Sequence, residues 1–241
     1  MAKGFKERQK VGRKISIVVP AHDEEKNIKK TVTEIADGFR NAQIIVVCNG
    51  CTDRTYEVAR RIKRPNVKVV NFYKSIGKGG AILEGFKLAS GDVVGFVDAD
   101  GSFRVEDIGK AVKGLEKYDA VIGSKWKGKG FFEVRSGFYR KIGSRGWNFL
   151  VGLLADLKFE DTQAGLKFFR RPVIDSILKA GFMCRGFDFD VELLYKVKKG
   201  GFKIKELYVP IEDGGKSTFD AGNMPKMFGN LLKFHFSKDK K

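Results

Sequence analysis

Between Ile15 and Gly123 the chain alternates short apolar runs with longer stretches of helical periodicity, and few architectures tolerate that pattern. Ile15–Pro20 reads as a buried strand, and Glu24–Phe39 as a helix through Ile28, Val32, Ile35 and Ala36. Strands are then expected at Ile44–Cys48, Val67–Phe72, Val93–Asp98 and Ala120–Gly123, with helices at Asp53–Ile62, Gly80–Ala89 and Val105–Leu115. Strands apolar on both sides and separated by helices imply an α/β fold, a mostly parallel central sheet flanked by helices. Ligands of such sheets bind beyond the strands' carboxyl ends, which is where Asp23, Asn49 and Asp98 fall.

Past Lys125 the pattern changes. Lys125–Arg145 is basic and glycine-punctuated, and reads as a loop leading into a helix. An apolar helical stretch follows at Trp147–Leu157, then a short strand-like segment at Asp161–Phe169. Helices are expected at Pro172–Ala180 and Asp188–Lys199, a strand at Lys203–Pro210, and a closing amphipathic helix at Met224–Phe236. That last helix gathers Met224, Met227, Phe228, Leu231 and Leu232 on one side. No linker composition separates these parts. The expected organisation is a basic arm at 1–14, a single domain at 15–219 with a helical extension, and a basic helix and tail at 220–241.

A net charge of +18 on 241 residues calls for an anionic partner: phosphates, nucleic acid or an acidic membrane surface. Three cysteines and no secretory leader point to a reducing, cytoplasmic setting. Cys48-Asn-Gly-Cys51 has C-x-x-C spacing but follows a strand instead of opening a helix, which argues against redox chemistry. Nothing approaches the roughly 20 apolar residues of a membrane span.

The chemistry concentrates in a few motifs. Asp98-Ala-Asp100 ends a strand, and side chains two apart on an extended segment share a face. Two such carboxylates can hold one Mg²⁺ or Mn²⁺ and leave positions open for phosphates, or can simply make an acidic turn. Pro20-Ala-His-Asp-Glu24 and Asn49-Gly-Cys-Thr-Asp53 end the first two strands, either as helix caps or as contacts to a ribose or base. Lys78 and Gly79, in Gly77-Lys-Gly-Gly-Ala81, open a helix where backbone amides and a lysine favour an anion. A Walker A loop is excluded because Gly215-Lys-Ser217 lacks the earlier glycine, and a dinucleotide fingerprint because Ile82 replaces its last glycine. Asp161-Thr-Gln-Ala-Gly165 is either a pocket lining or a turn. Lys125, Arg135, Arg140 and Arg145 are interleaved with Phe131, Phe138 and Trp147, a mixture suited to a phosphorylated lipid or a nucleic acid.

In this order the motifs resemble glycosyltransferase family 2. The matching stretches are Val18–Glu25, Val46–Thr55, Gly77–Ala81, Val97–Asp100 and Val121–Lys125. Asp161–Phe169 and Phe187–Leu194 are similar to its polyprenyl-phosphate branch, the dolichyl-phosphate glucosyl- and mannosyltransferases. The resemblance implies a GT-A fold with an acceptor-side helical extension, and transfer of a hexose with inversion from a nucleotide sugar to polyprenyl phosphate. It places Pro20, Ala21, Glu24, Asn49, Lys78, Gly79 and Asp98 against the nucleotide sugar, and a metal on Asp98 and Asp100. It assigns catalysis to Asp100, Asp161, Gln163, Lys125 and Arg140, and the acceptor phosphate and lipid to Lys125, Arg135, Arg140, Lys216 and Ser217. Asn49 stands where the family usually has an aspartate, which favours a UDP-sugar over a GDP-sugar.

A phosphate monoester, with a second pKa of about 6, needs no general base, so Asp161 is expected to orient substrate. The resemblance also implies a peripheral position on the cytoplasmic membrane face, and no nucleic-acid partner. Rival readings are a soluble or polysaccharide acceptor, a nucleotidyltransferase, and a non-enzymatic nucleic-acid binder.

Overall fold

The structure is a computed structural model that describes residues 13–130, 133–134, 137–186, 188–210 and 224–237. The strands are β1 (Ile15–Ala21), β2 (Gln43–Asn49), β3 (Val67–Phe72), β4 (Val93–Val97), β5 (Ala120–Ser124), β6 (Leu166–Arg170) and β7 (Ile204–Tyr208). The helices are α1 (Ile28–Gly38), α2 (Thr55–Ala59), α3 (Lys78–Leu88), α4 (Val105–Gly114), α5 (Phe138–Ala155), α6 (Arg171–Lys179), α7 (Phe189–Lys199) and α8 (Met224–Ser237).

All seven strands join one sheet in the order β3-β2-β1-β4-β6-β5-β7. β6 runs antiparallel to both β4 and β5, and the other pairs are parallel. From β1 the chain moves outward through β2 and β3, then returns to place β4 on the other side of β1. A crevice opens at the carboxyl ends of strands at such a switch point.

The two-residue period of the strands divides the core. Ile17 and Val19 of β1, with Ile44, Val46 and Cys48 of β2, pack with Val32 and Ile35 of α1 and Ile108 of α4. Val18, Ile45 and Val47 face the opposite side, among Ile82 and Phe86 of α3, Ile174 of α6 and Leu193 of α7. There Phe86 meets Phe96 and Phe169 at centroid distances of 6.3 and 6.2 Å, close to the preferred aromatic spacing.

Several expected boundaries move. α1 starts at Ile28 instead of Glu24, because Asp23 takes a left-handed φ of 54° and Asn27 gives its amide to Glu24 at 2.9 Å. α2 stops at Ala59, just before the like charges Arg60, Arg61, Lys63 and Arg64, which a continued helix would stack on one another. The strand expected at Asp161–Phe169 is only β6, and Asp161–Gly165 is loop. α5 begins nine residues before Trp147, so much of the basic segment is helical.

α8 packs on α5 and α7. Leu231 and Phe234 are buried beside Trp147, Val151 and Leu194, and Phe234 meets Tyr195 edge-on at 5.0 Å. His235 Nδ1 lies 2.7 Å from the Leu154 carbonyl oxygen. Of the expected apolar stripe Leu231 is turned inward, joined by Phe234, while Phe228 is exposed and the Met224 and Met227 side chains lie outside the described residues.

Candidate active site

A cavity of about 600 Å³ opens over the switch point. Pro20, Ala21, His22 and Glu24 reach it from the end of β1, Asn49 from β2, and Asp98, Ala99 and Asp100 from β4. Ser75, Ile76, Gly77 and Lys78 close it at the start of α3, while Arg185, Gly186, Asp188 and Asn230 form another wall.

Local chemistry sets these positions. The left-handed Asp23 spends its carboxylate on Thr52 and Asp53: Thr52 N donates at 2.6 Å, Thr52 Oγ1 at 2.8 Å and Asp53 N at 3.3 Å. Those bonds hold the turn after β2 against the end of β1 and draw the Asp23 carboxyl below its ordinary value despite burial. Asp23 is therefore a brace, and Glu24, next along, faces the cavity. Asn49 is braced too: Oδ1 accepts from Ile76 N at 2.8 Å, and its backbone oxygen lies 2.9 Å from His22 Nδ1. The same bonds tie the Ser75–Gly77 loop to β2. His22, Asp23 and Cys51 come together closely enough to share a cation, but Asp23's oxygens already serve Thr52 and Asp53. Burial pushes the Cys48 thiol up to about 12, which makes it inert.

Gly77 precedes α3 with φ of 78°, and a side chain there would run into the Arg185 carbonyl. That carbonyl accepts from Gly80 N at 3.3 Å, so the Arg185 loop sits over the start of α3. Lys78 Nζ bridges both Asp98 oxygens at 2.7 and 3.0 Å. Burial pulls the Lys78 ammonium down, but Asp98, Asp190 and Asp100 more than offset this and leave it above the ordinary lysine value.

Glu24 lines the same cavity and feels the same charge cluster. Burial, reinforced by Asp100 and Asp98, raises its carboxyl above the ordinary value against the hydrogen bond from Asn27. A carboxyl raised on folding opposes the folded state once ionised, so its contribution is lost as pH rises through the folded value. Glu24→Gln is accordingly expected to raise the thermal midpoint at neutral pH without added cation, with the gain vanishing below the carboxylate range. Thermal melts of both proteins across pH 3–8 check this.

The Asp161–Gly165 loop supports the site from behind. Asp98 N donates to Gly165 O at 2.9 Å, and a methyl group on Gly165 would overlap the Asp98 carboxylate. Asp161 is buried, and its oxygens accept from Lys125 N at 3.3 Å and Gln163 N at 3.2 Å. Burial raises its carboxyl, against the opposing pull of Lys125 and Lys167. Lys167, fully buried, ties the loop down through Ala164 O at 2.7 Å and pairs with Asp190 Oδ1 at 2.7 Å.

Of the residues singled out from sequence, Pro20, Ala21, Glu24, Asn49, Lys78, Asp98 and Asp100 converge on the cavity. Gly79 lies behind the wall, where a side chain would strike Phe189. Asp161, Gln163 and Lys125 sit in or beside the supporting loop and do not line the cavity. Arg140 falls in α5, but its side chain, together with Arg135, Lys216 and Ser217, lies outside the described residues. Arg185, Asp188 and Asn230 also line the cavity and carry no site role in the sequence reading. Asp188 stands there only within the Phe187–Leu194 stretch and at the start of an expected helix, Asn230 within the closing helix, and no local pattern brings them to the β4 edge.

Residues 16–178 match the family model for glycosyl transferase family 2, which is most of the sheet. The chain belongs to glycosyltransferase family 2. Relatives within it include a dolichyl-phosphate beta-glucosyltransferase of Trichomonas vaginalis, 30% identical over 236 residues that cover 91% of this chain and 72% of that protein. A dolichol-phosphate mannosyltransferase of Pyrococcus furiosus is 33% identical over 77% of this chain and 53% of its own length. The glycosyltransferase AglD of Haloferax volcanii is 28% identical over 87% of this chain, which spans only 35% of that protein. The fold is GT-A. Glucosyl-3-phosphoglycerate synthase of Mycobacterium tuberculosis, crystallised with Mn²⁺, UDP and glucosyl-3-phosphoglycerate, superimposes with a TM-score of 0.71 at 19% identity, over 94% of this chain and 80% of that one.

Proposed function

We propose that this family 2 glycosyltransferase moves a hexose, with inversion, from a nucleotide sugar to a polyprenyl phosphate of the dolichyl type. The observation that carries the reading is the cavity itself, where a carboxylate pair, a half-buried lysine and a helix start meet beyond the sheet's switch point. The relatives named for dolichyl-phosphate glucosyl and mannosyl transfer support the acceptor class.

Asp98 and Asp100 would hold Mg²⁺ or Mn²⁺. The donor set fits: both are carboxylates open to the cavity, and with Glu24 nearby they concentrate negative charge that one lysine only partly balances. When bound, such a cation supplies charge neutralisation for a departing diphosphate. Lys78 and the start of α3 add fixed positive potential beside it. Pro20, Ala21 and Asn49 shape the nucleoside end. Asp161 and Gln163 set the loop that backs Asp98, so Asp161 is a positioning residue. The acceptor phosphate, already an anion, attacks the anomeric carbon without a base from the protein.

The lipid's approach is read from α5. Phe138, Ile142, Phe149 and Leu153 are 61, 50, 71 and 68% exposed, and their spacing puts them on one helical stripe. Phe228 and Phe236 of α8 are exposed as well. No helix among the described residues is long and apolar enough to cross a membrane. A basic chain with this stripe suits peripheral binding at an anionic surface on the cytoplasmic face.

The test is a panel of labelled UDP- and GDP-sugars offered with Mg²⁺ or Mn²⁺ and polyprenyl phosphate in anionic liposomes. Label should pass into the organic phase, with UDP-glucose the best donor, and transfer should fall as salt rises. Label that stays in a water-soluble product whatever the donor would overturn the acceptor assignment.

A further inference from the structure

One wall of the cavity takes no part in the chemistry above. Asp188 directly precedes α7, is 5% exposed and lines the cavity, and its Oδ2 has no hydrogen-bond partner among the described residues. A buried carboxylate oxygen without a donor is costly to keep. Behind Asp188 lies a crevice bounded by Trp147, Cys184, Val191 and Phe234 that has no room for a water molecule. The missing donor therefore comes from the cavity side or from the protein's own donors at the crevice, the Cys184 thiol, which faces the Asp188 carboxylate, and the Trp147 indole N–H, also without a partner among the described residues. Asn230 of α8 lines both spaces beside Asp188.

An ionised carboxylate only accepts hydrogen bonds, so its ligand must present N–H or O–H groups and no negative charge. That excludes the diphosphate, whose place is beside Lys78 and the start of α3. The nucleoside end is framed by Pro20, Ala21 and Asn49 at β1 and β2, whereas Asp188 and Asn230 border the cluster of Trp147, Val191 and Phe234 that packs with Ile122 of β5, on the other side of β4 from β1. What remains for the α7–α8 wall is the sugar. Arg185, the cation on this wall, is exposed, and its backbone carbonyl ties the loop to Gly80 at the start of α3.

We propose that Asp188, with Asn230 beside it, forms the donor-sugar subsite, accepting hydroxyl groups of a neutral hexose and rejecting a hexuronic acid. The proposal rests on the nucleotide-sugar reading above and deepens it by naming the residues that recognise the hexose and require it to be neutral. A site built to bind hydroxyls rejects a ligand that places an anion there, because the buried acceptor then faces like charge.

Calorimetry with a divalent cation separates the two ideas. The probes are a nucleoside diphosphate, its hexose conjugate and its hexuronate conjugate, using UDP or GDP, whichever binds. Asp188→Asn should leave the diphosphate affinity unchanged, weaken the hexose conjugate about ten- to hundredfold, and narrow the preference for hexose over hexuronate. Asn230→Ala, on a half-buried helix position, should weaken the hexose conjugate severalfold with the diphosphate again unaffected. If the parent binds neither diphosphate, the nucleotide-sugar reading itself fails. If the diphosphate binds but neither variant shifts the conjugate-to-diphosphate ratio, the subsite alone is overturned. In that case Asp188 serves the protein's own donors, and Asp188→Asn lowers the thermal midpoint as Trp147→Phe or Cys184→Ala does.

Discussion

Asp100→Asn is expected to cut sugar transfer by about a thousandfold or more while the protein keeps its fold and thermal midpoint. The size follows from what a cation held by this pair would supply: several kcal/mol of charge stabilisation, with each 1.36 kcal/mol worth about tenfold in rate. Asp100 is the cleaner probe of the two. Its recorded hydrogen bond is an acceptance from Ser102 N at 3.0 Å, which an asparagine oxygen can retain. Asp98 is entangled with the fold through Gly165 O and Lys78, so Asp98→Asn would also strip the counter-charge from a half-buried ammonium. The two variants should therefore differ in stability and agree in lost activity. Steady-state rates at saturating Mn²⁺, alongside denaturant unfolding, make the comparison. An Asp100→Asn protein that retained a tenth of the parental rate would remove this pair from the mechanism.

The left half of the sheet was legible because its strands are continuous apolar runs divided by amphipathic helices, and β1 to β4 fall within a residue or so of where that pattern puts them. The donor-side residues were legible for the same reason. Apart from Lys78 and Gly79, which open α3, each follows or ends a strand, and parallel strands carry their carboxyl ends to one edge. Strand direction in Leu166–Arg170 was not legible, since five residues with an apolar centre read the same parallel or antiparallel. Only the pairing of β6 with β4 and β5 decides it. Lys167 illustrates a second blind spot, because a lysine in a strand reads as solvent-facing unless its partner is known, and Asp190 lies 23 residues away. Asp188 and Asn230 meet only because α8 folds back over α5 and α7. Their proximity is a property of packing between helices and has no period in the sequence.

Lys167→Met should destabilise the protein by about 3–5 kcal/mol, the range for breaking a fully buried ion pair by removing one partner. Lys167 and Asp190 side chains are 0 and 2% exposed, with Nζ also 5.3 Å from the Phe96 ring centre. Methionine fills the volume but leaves the Asp190 carboxylate in an apolar wall without its cation. Removing both charges, as in Lys167→Met with Asp190→Leu, takes away that unpaired charge, so the double variant should recover at least half of the lost stability. Activity should not follow. The Lys167 ammonium also holds the Ala164 carbonyl, and the next residue, Gly165, bonds Asp98 and leaves no space beside its carboxylate. Without that tether the loop behind the metal-ligand pair loses its anchor, so the double variant should be stable and slow. Urea unfolding and transfer rates on the parent, the single variants and the double variant test both halves. A single variant within about 1 kcal/mol of the parent would show the pair to be dispensable for stability. A double variant with full turnover would show that the loop holds Asp98 without Lys167.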